Sequence, residues 1–196
     1  MSRVVHPIER ESYRILRERV ALSHLPPLTR AVVERVVHAS ADLDYVGDLV
    51  CDESALRRGR DALRAGAPVV TDVAMVAAGI TTRDTVCPVA EPATAELARA
   101  SGLTRSAAAV RVALDRVGPG AVWVVGCAPT ALEELLTLDA RPALVVGLPV
   151  GFVGAAESKA ALRASGLPGL SNRSEKGGSA VAAAACNALL HAEEES

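Results

Sequence analysis

The sequence predicts an α/β fold in which a parallel β-sheet is covered by helices on both faces. The 196 residues, half of them apolar, are enough for one substantial core, so we expect a single domain over residues 1–196. The short apolar runs APVVTDV, AVWVVG and PALVVG lack alternation, which is typical of strands that are buried on both faces. Segments with helical periodicity separate these runs, and this arrangement favours βαβ units.

Two helices are predicted at the N-terminus. Pro7 suits a first helical turn, and the residues after it follow helical spacing, which predicts a helix over residues 8–22. The segment HLPPL ends this helix, and Thr29 is placed to cap a second one from Arg30 to His38. The apolar face of the second helix consists of Val32, Val33, Val36 and Val37. We expect both helices to pack outside the α/β core.

The regular pattern begins in the middle of the chain. The stretch ASADLDYVGDLVCDES predicts a loop and then a short segment whose type stays open, and residues 55–65 predict a helix that ends at Gly66. APVVTDV is the first strand of the pattern, and AMVAAGI is a helical turn that ends at Gly79. TTRDTVCPV is a second possible strand, and PATAELARASG predicts a helix.

The C-terminal half repeats strand and helix. Residues 104–117 predict a helix with Thr104 as its cap, and GPG separates it from the strand AVWVVG. APTALEELLTL predicts the next helix, PALVVG a strand, AAESKAALRAS a further helix, and GSAVAAAACNALLHAE a last, alanine-rich helix. Ligands of open parallel sheets bind beyond the carboxyl ends of the strands. We therefore expect a site among the loops that begin at Thr71, Gly126 and Gly147.

Composition excludes several classes of function. A net charge of −2 gives no field that attracts nucleic acid or an anionic membrane, and 2% aromatic residues leave few side chains for stacking on bases. Charged residues interrupt every apolar window long enough to span a bilayer, and no secretion signal is found, so we expect a cytoplasmic protein. The four cysteines have no metal-binding spacing, which predicts free thiols and no metal site.

The familiar nucleotide and catalytic motifs are missing. The sequence lacks GxxxxGK[ST], GxGxxG, GxSxG and HExxH, and we expect no cofactor. Four loops rich in small residues remain, namely TDVAM, GCAPTAL, GLPVGFVGAAESK and KGGSAVAAA. Backbone amides at helix N-termini attract carboxylate and phosphate oxygens, and Thr130, Lys159 and Lys176 can add polar or charged contacts. The alternative is that the glycines only permit tight turns.

One face of the second helix carries a candidate acid-base pair. Arg35 and His38 are one turn apart and lie opposite the valine face. Histidine exchanges protons near neutral pH, and arginine holds acidic groups through its fork of donors. Arg105 and Ser106, in the first turn of a later helix, are placed to reach a nearby anion. The alternatives are a solvated pair on the surface of the second helix and ordinary first-turn polarity at residues 105–106.

Taken in order, the motifs resemble one family. They are similar to segments of the precorrin-8X (or cobalt-precorrin-8) methylmutases of cobalamin biosynthesis, over about Ile8 to Leu190. The segments are SYRILRE, RVVHA, DVAMVAAGI, GLTRSAAA, GCAPTALEELL, PALVVGLPVGFVGAAESK and KGGSAVAAAACNALL. The resemblance implies a flavodoxin-like fold, a homodimer, and a corrinoid macrocycle as substrate and product. It also implies an intramolecular shift of a methyl group from ring carbon 11 to ring carbon 12.

The resemblance assigns roles to individual residues. The family's catalytic histidine lies in the motif written here as RVVHA and maps to His38, which would give a proton to the macrocycle and take one back. The family's substrate-contacting serine and arginine map to Ser12 and Arg35. In the motif NAPTAL, which the family commonly has, this chain carries Cys127 in place of the asparagine.

Two other hypotheses stay open at this point. One is a protein that carries a corrinoid without catalysing a reaction. The other is an enzyme of unrelated small-acid chemistry that uses the same loops.

Overall fold

One six-stranded sheet lies at the centre of the protein, in a computed structural model that describes residues 6–192. The strands are β1 (Leu49–Cys51), β2 (Val69–Thr71), β3 (Thr85–Val86), β4 (Val122–Val125), β5 (Leu144–Gly147) and β6 (Gly169–Asn172). Strands β2 to β6 are parallel, and β1 pairs antiparallel with β6 at one edge. The spatial order is β1-β6-β5-β4-β2-β3. Counted among the parallel strands alone, this is the 2-1-3-4-5 order of flavodoxin-like folds. The predicted fold class is confirmed.

Helices cover both faces of the sheet. Within residues 6–192 the α-helices are α1 (Pro7–Arg19), α2 (Pro27–Ser40), α3 (Tyr45–Asp48), α4 (Glu53–Arg64), α5 (Ala74–Gly79), α6 (Pro92–Ser101), α7 (Arg105–Val117), α8 (Pro129–Thr137), α9 (Ala155–Ala164) and α10 (Ser179–His191). Val122 and Val124 of β4 belong to the core formed with α2, α4, α5 and α10, whereas Trp123 and Val125 belong to the core formed with α7 and α8. The run AVWVVG is apolar throughout because its alternate residues enter two different cores. None of the helices described is long and apolar enough to cross a membrane.

Helices α1 and α2 form an outer layer on one face. The valines of α2 are buried in the core that includes α4 and α10, and α1 packs across α2. Leu16 is the buried residue of α1. Because α1 covers part of the outer face of α2, Arg35 and His38 are half-buried rather than solvated.

The structure differs from the sequence prediction at several boundaries. The first helix ends at Arg19, earlier than predicted, because Val20 takes an extended conformation. The segment whose type stayed open contains α3 and the edge strand β1. Strand β6 was not predicted, because its sequence GLSN has a single large apolar residue, Leu170. Its polar residues Ser171 and Asn172 are nevertheless buried, since hydrogen bonds from Arg163 and Lys159 satisfy them.

A carboxylate from α4 caps the second helix. The sequence predicts Thr29 as the cap, but α2 begins at Pro27, which places Thr29 inside its first turn. Glu53 accepts hydrogen bonds from the backbone N of Leu28 (3.0 Å), the backbone N of Thr29 (2.8 Å) and the Thr29 hydroxyl (2.7 Å). Partial burial raises the pKa of the Glu53 carboxyl, but these hydrogen bonds and the nearby Arg57 outweigh it, and the pKa is lowered.

We expect Glu53→Gln to lower the free energy of unfolding by about 1 kcal/mol at neutral pH, because an amide replaces one of the two capping oxygens. Since the folded-state pKa is lowered, the contribution is complete above the ordinary value of 4.5 and is lost as pH falls through the folded-state pKa. Urea unfolding of the wild type and of Glu53→Gln, from neutral pH to below pH 4.5, measures the contribution of Glu53 to the free energy of unfolding. Glu96→Gln, on an exposed part of α6, serves as the control. Equal stability of wild type and Glu53→Gln at neutral pH would rule out the capping role.

Candidate active site

His38 lies in the last full turn of α2, on the face that α1 covers. Its Nδ1 is 2.8 Å from the hydroxyl oxygen of Ser12 on α1. The ring of Tyr13 stacks on the imidazole, with 4.8 Å between ring centroids and 16° between planes. Within residues 6–192 the second ring nitrogen, Nε2, has no hydrogen-bond partner. One nitrogen therefore fixes the orientation of the ring, and the other is available for proton transfer.

Arg35 contacts the cluster formed by His38, Ser12 and Tyr13 through the hydroxyl of Tyr13. Its Nη1 donates to the Tyr13 hydroxyl (3.2 Å) and to Glu9 Oε1 (2.6 Å). Burial opposes the positive charge of Arg35, but the contacts with Tyr13 and Glu9 outweigh it and raise the pKa of the guanidinium. Arg35 is thus permanently cationic and already holds one carboxylate, so an acidic ligand would share it with Glu9 or displace Glu9.

A cleft of about 750 Å³ adjoins this cluster between α1, α2 and α10. Tyr13 and Arg35 line it, together with Arg17, whose guanidinium binds Glu34 (2.8 Å) and lies 5.7 Å from the centroid of the Tyr13 ring. His38 is not among its lining residues. The cleft is therefore a neighbour of the histidine rather than its immediate surroundings.

The remaining predicted residues form a second group on the other face of the sheet. Arg105 and Ser106 begin α7, where the Thr104 hydroxyl accepts from the backbone N of Ala107 (3.2 Å) and caps the helix. The Thr104 hydroxyl also lies 2.7 Å from the hydroxyl of Thr130 in the first turn of α8. Arg105 is exposed and Ser106 is half-buried. The structure thus joins the starts of α7 and α8, which carry all three residues.

Both groups lie on helices that end or begin at the carboxyl edge of the sheet. Helix α8 follows strand β4, so it begins at this edge, and the contact between Thr104 and Thr130 places the start of α7 beside it. The end of α2 is tied to the loop after β6, because Lys176 Nζ lies 2.7 Å from Asp42 Oδ2 and 2.6 Å from Asp44 Oδ2. The structure therefore brings Ser12, Arg35 and His38 together on one side of this edge. It gives no direct contact between them and the group at Arg105, Ser106 and Thr130.

The amides of the loop GCAPTAL are engaged by an internal carboxylate. Asp72, directly after β2, accepts hydrogen bonds from the backbone N of Gly126 (3.0 Å), Cys127 (2.8 Å) and Ala128 (2.8 Å). Burial raises the pKa of Asp72, although the three amides oppose this effect. The expectation that these amides hold a ligand is therefore wrong for this loop. Because the contact uses the backbone of Cys127, it does not depend on which side chain occupies that position.

Lys159 supports two loops and is not exposed to a ligand. The side chain is fully buried, and its Nζ donates to Pro149 O (3.1 Å), Asn172 Oδ1 (2.9 Å), Ser174 O (2.6 Å) and Lys176 O (2.6 Å). Burial lowers the pKa of Lys159 to about 8. These contacts hold the loop after β5 against the loop after β6.

Among residues 6–192 there is neither a cluster of metal-ligating side chains nor a disulfide. Within residues 6–192, no group of three or more His, Cys, Asp or Glu side chains is placed to hold a metal ion. The four cysteines are free thiols, as the sequence predicts.

Sequence reasoning missed two residues that organise this region, Tyr13 and Asp72, and it gave Lys159 a ligand contact where the structure gives it a supporting role. Tyr13, Asp72 and Lys159 each act through partners distant in the chain. Asp72 had a usable signal, since it is a lone acid directly after a buried strand and next to a loop rich in small residues. Tyr13 had a weaker signal, because it lies beside Ser12 in the motif SYRILRE.

Comparison with known proteins identifies the family. The family described as precorrin-8X methylmutase matches residues 7–192. The chain is 42% identical to the cobalt-precorrin-8 methylmutase of Methanothermobacter thermautotrophicus, over 94% of this chain and 92% of that protein. It is 43% identical to the precorrin-8X methylmutase of Pseudomonas aeruginosa, over 93% of each chain. A crystal structure of the precorrin-8X methylmutase from Thermus thermophilus superposes with a TM-score of 0.85 at 37% identity, over 93% of each chain. The chain belongs to the precorrin-8X methylmutase family and is an enzyme, an isomerase.

Proposed function

We propose that this enzyme moves a methyl group from ring carbon 11 to ring carbon 12 of precorrin-8X or cobalt-precorrin-8, giving hydrogenobyrinate or cobyrinate in cobalamin biosynthesis. The observation that carries this proposal is the fixed imidazole of His38, which is held by Ser12 and stacked on Tyr13 with Nε2 unpartnered within residues 6–192. Family membership supplies the reaction, and this geometry supports the role of the histidine.

His38 acts as the proton donor and acceptor. Nε2 gives a proton to the macrocycle, the bond between carbon 11 and the methyl group breaks as the bond to carbon 12 forms, and Nε2 takes a proton back. No atom is gained or lost in the sum, so the reaction consumes no oxidant, reductant or cofactor. The stacked Tyr13 and the hydrogen bond between Nδ1 and the Ser12 hydroxyl keep the ring in one orientation through both proton transfers.

Cationic and hydroxyl groups bind the carboxylates at the rim of the substrate. Arg35 offers a charge-assisted contact on the His38 side, where Glu9 now occupies it. Arg105, Ser106 and Thr130 offer contacts on the other side of the carboxyl edge. A broad ligand with carboxylates around its rim is bound better by two separate groups of donors than by a single phosphate-binding loop.

We also propose that the enzyme is a homodimer and works in the cytoplasm. Two groups of substrate contacts on opposite faces of one sheet are compatible with a second copy that completes the site. Sedimentation equilibrium at micromolar protein concentration tests the dimer, and a mass equal to a single chain would contradict it.

Ser12→Ala is expected to lower kcat by roughly tenfold while leaving the protein folded, because His38 loses the partner that orients it. Ser12→Thr keeps the hydroxyl and should retain most of the activity. Steady-state kinetics of the two variants make the comparison. If both variants were as active as the wild type, the hydrogen bond would have no part in the reaction.

Anaerobic incubation with precorrin-8X and with its cobalt form tests the proposed function. The methyl shift completes the conjugation of the macrocycle, so we expect the absorption spectrum to change while the mass stays the same. Binding without any spectral change would favour the corrinoid carrier instead. Failure to bind either compound would favour unrelated small-acid chemistry.

A further inference from the structure

The loop after β5 ends in a fully exposed apolar tip, formed by Phe152 and Val153. Their exposed fractions are 97% and 87%, and Phe152 is the single phenylalanine of the chain. Gly151 and Gly154 flank the tip with φ angles of 141° and 78°, which favour glycine. The two adjacent side chains take no part in the core and form a small apolar patch that is accessible for a contact outside the chain.

The backbone beneath this tip is tightly held. Gly151 N donates to Glu175 O (3.1 Å), and Gly178 N donates to Leu148 O (2.9 Å). A Cβ at Gly177 would lie 2.4 Å from Leu148 O, so the two loops approach as closely as glycine allows. Lys159 adds its hydrogen bonds to both loops from below. The tip is therefore preformed, which reduces the entropy that a binding partner has to offset.

The tip adjoins the predicted substrate contacts on α8. A Cβ at Gly154 would lie 3.4 Å from Pro129 Cβ, and Pro129 directly precedes Thr130. Met75, which is 65% exposed, lies in the first turn of α5, the helix that follows β2 at the same carboxyl edge. The backbone amides of the loop after β4 already donate hydrogen bonds to the carboxylate of Asp72. A ligand at this edge would lie on the apolar tip rather than in the crevice between β2 and β4.

We propose that Phe152 and Val153 form the contact surface for the flat, apolar face of the corrinoid macrocycle, next to Arg105 and Thr130 at its acidic rim. This inference rests on the proposed function and names two residues that determine how its substrate is bound. A flat conjugated ring offers an aromatic side chain an offset-stacked contact. A second copy of the chain is the weaker candidate for this surface, because two side chains cover far less than the about 800 Å² per partner of a stable interface.

The test is a graded series at one position. Phe152→Ala is expected to weaken binding of hydrogenobyrinate by roughly tenfold and to raise KM for precorrin-8X by a similar factor, with kcat changed much less. Phe152→Leu keeps most of the apolar surface and should lie between Phe152→Ala and the wild type. The side chain is exposed, so all variants should unfold at the wild-type temperature. Absorption titration gives the affinity.

Two results would overturn the inference. One is a Phe152→Ala variant that binds hydrogenobyrinate and converts precorrin-8X as the wild type does. The other is a variant whose substrate affinity is unchanged but whose sedimentation shows dissociation, which would make the tip a contact between subunits. A wild-type protein that neither binds nor converts the corrinoid contradicts the proposed function itself, so the two failures are distinguishable.

Discussion

His38→Ala is expected to lower kcat for precorrin-8X by about 10²- to 10⁴-fold, because alanine can neither give a proton to the macrocycle nor take one back. Binding should be much less affected, since Arg35, Arg105 and Thr130 remain. The imidazole is half-buried, and its one hydrogen bond to any of residues 6–192 is the one to Ser12, so we also expect the variant to fold. Single-turnover absorption measurements under anaerobic conditions, with circular dichroism as the check on folding, give both quantities.

A matched control comes from another histidine. His24 is exposed in the connection between α1 and α2, and His24→Ala should keep wild-type turnover. If His38→Ala converted precorrin-8X at the normal rate, the proposal that His38 transfers protons would be wrong. If His38→Ala lost both its fold and its turnover, its kinetics would say nothing about catalysis, and His38→Gln would take its place. Glutamine has a side chain of similar reach, so we expect His38→Gln to fold but to remain inactive.

Lys159→Met is expected to lower the free energy of unfolding by about 3 kcal/mol or more, because it leaves several buried oxygen acceptors without a donor. The lost partners are three backbone carbonyls and the side chain of Asn172. These hydrogen bonds hold the loops after β5 and β6 together, so the loop that carries Phe152 should loosen as well. Urea unfolding measures the first effect, and amide hydrogen exchange at residues 148–154 measures the second.

Lys176→Met is the control for a lysine of the same loop. Lys176 is partly exposed and binds the carboxylates of Asp42 and Asp44, so its loss should have a much smaller effect on stability. Equal effects of the two substitutions would show that burial of Lys159 does not matter. A Lys159→Met protein of wild-type stability would contradict the claim that Lys159 holds the loops after β5 and β6 together.

The fold class could be predicted because its main signal is local. Strands β2, β4 and β5 are short, mainly apolar runs because both of their faces are buried, and Thr71 at the end of β2 is their one polar residue. Strand β6 could not be predicted in this way, because Ser171 and Asn172 are buried through hydrogen bonds to Arg163 and Lys159 rather than through apolar character. The two-residue strand β3 was predicted only as a possibility, since few of its neighbours are apolar.

The candidate site could be predicted in part. Helical periodicity placed Arg35 and His38 on one face of α2, and the structure confirms that both lie opposite the buried valines. The partners of these residues could not be derived from spacing. Ser12 and Tyr13 meet His38 only because α1 packs across α2, and that packing depends on contacts between residues about 26 positions apart in the chain. Ser12 came from the family resemblance alone.

The amides of the loop after β4 show where local reasoning fails. A loop rich in small residues at a helix N-terminus predicts an anion site, and an anion is indeed there, but it is the carboxylate of Asp72 from the neighbouring strand. Strands β2 and β4 are 51 or more residues apart in sequence and adjacent in the sheet. Only the sheet order brings that carboxylate to those amides.

The central claim is that the enzyme shifts a methyl group within a corrinoid, with His38 as its acid and base. The most direct measurement uses precorrin-8X labelled with ¹³C in the methyl group on ring carbon 11, incubated anaerobically with the wild-type protein and followed by NMR. We predict that the label moves to ring carbon 12 in a product of unchanged mass, and that His38→Ala leaves it in place. A label that stays on carbon 11 while the wild-type protein binds the compound would contradict the account.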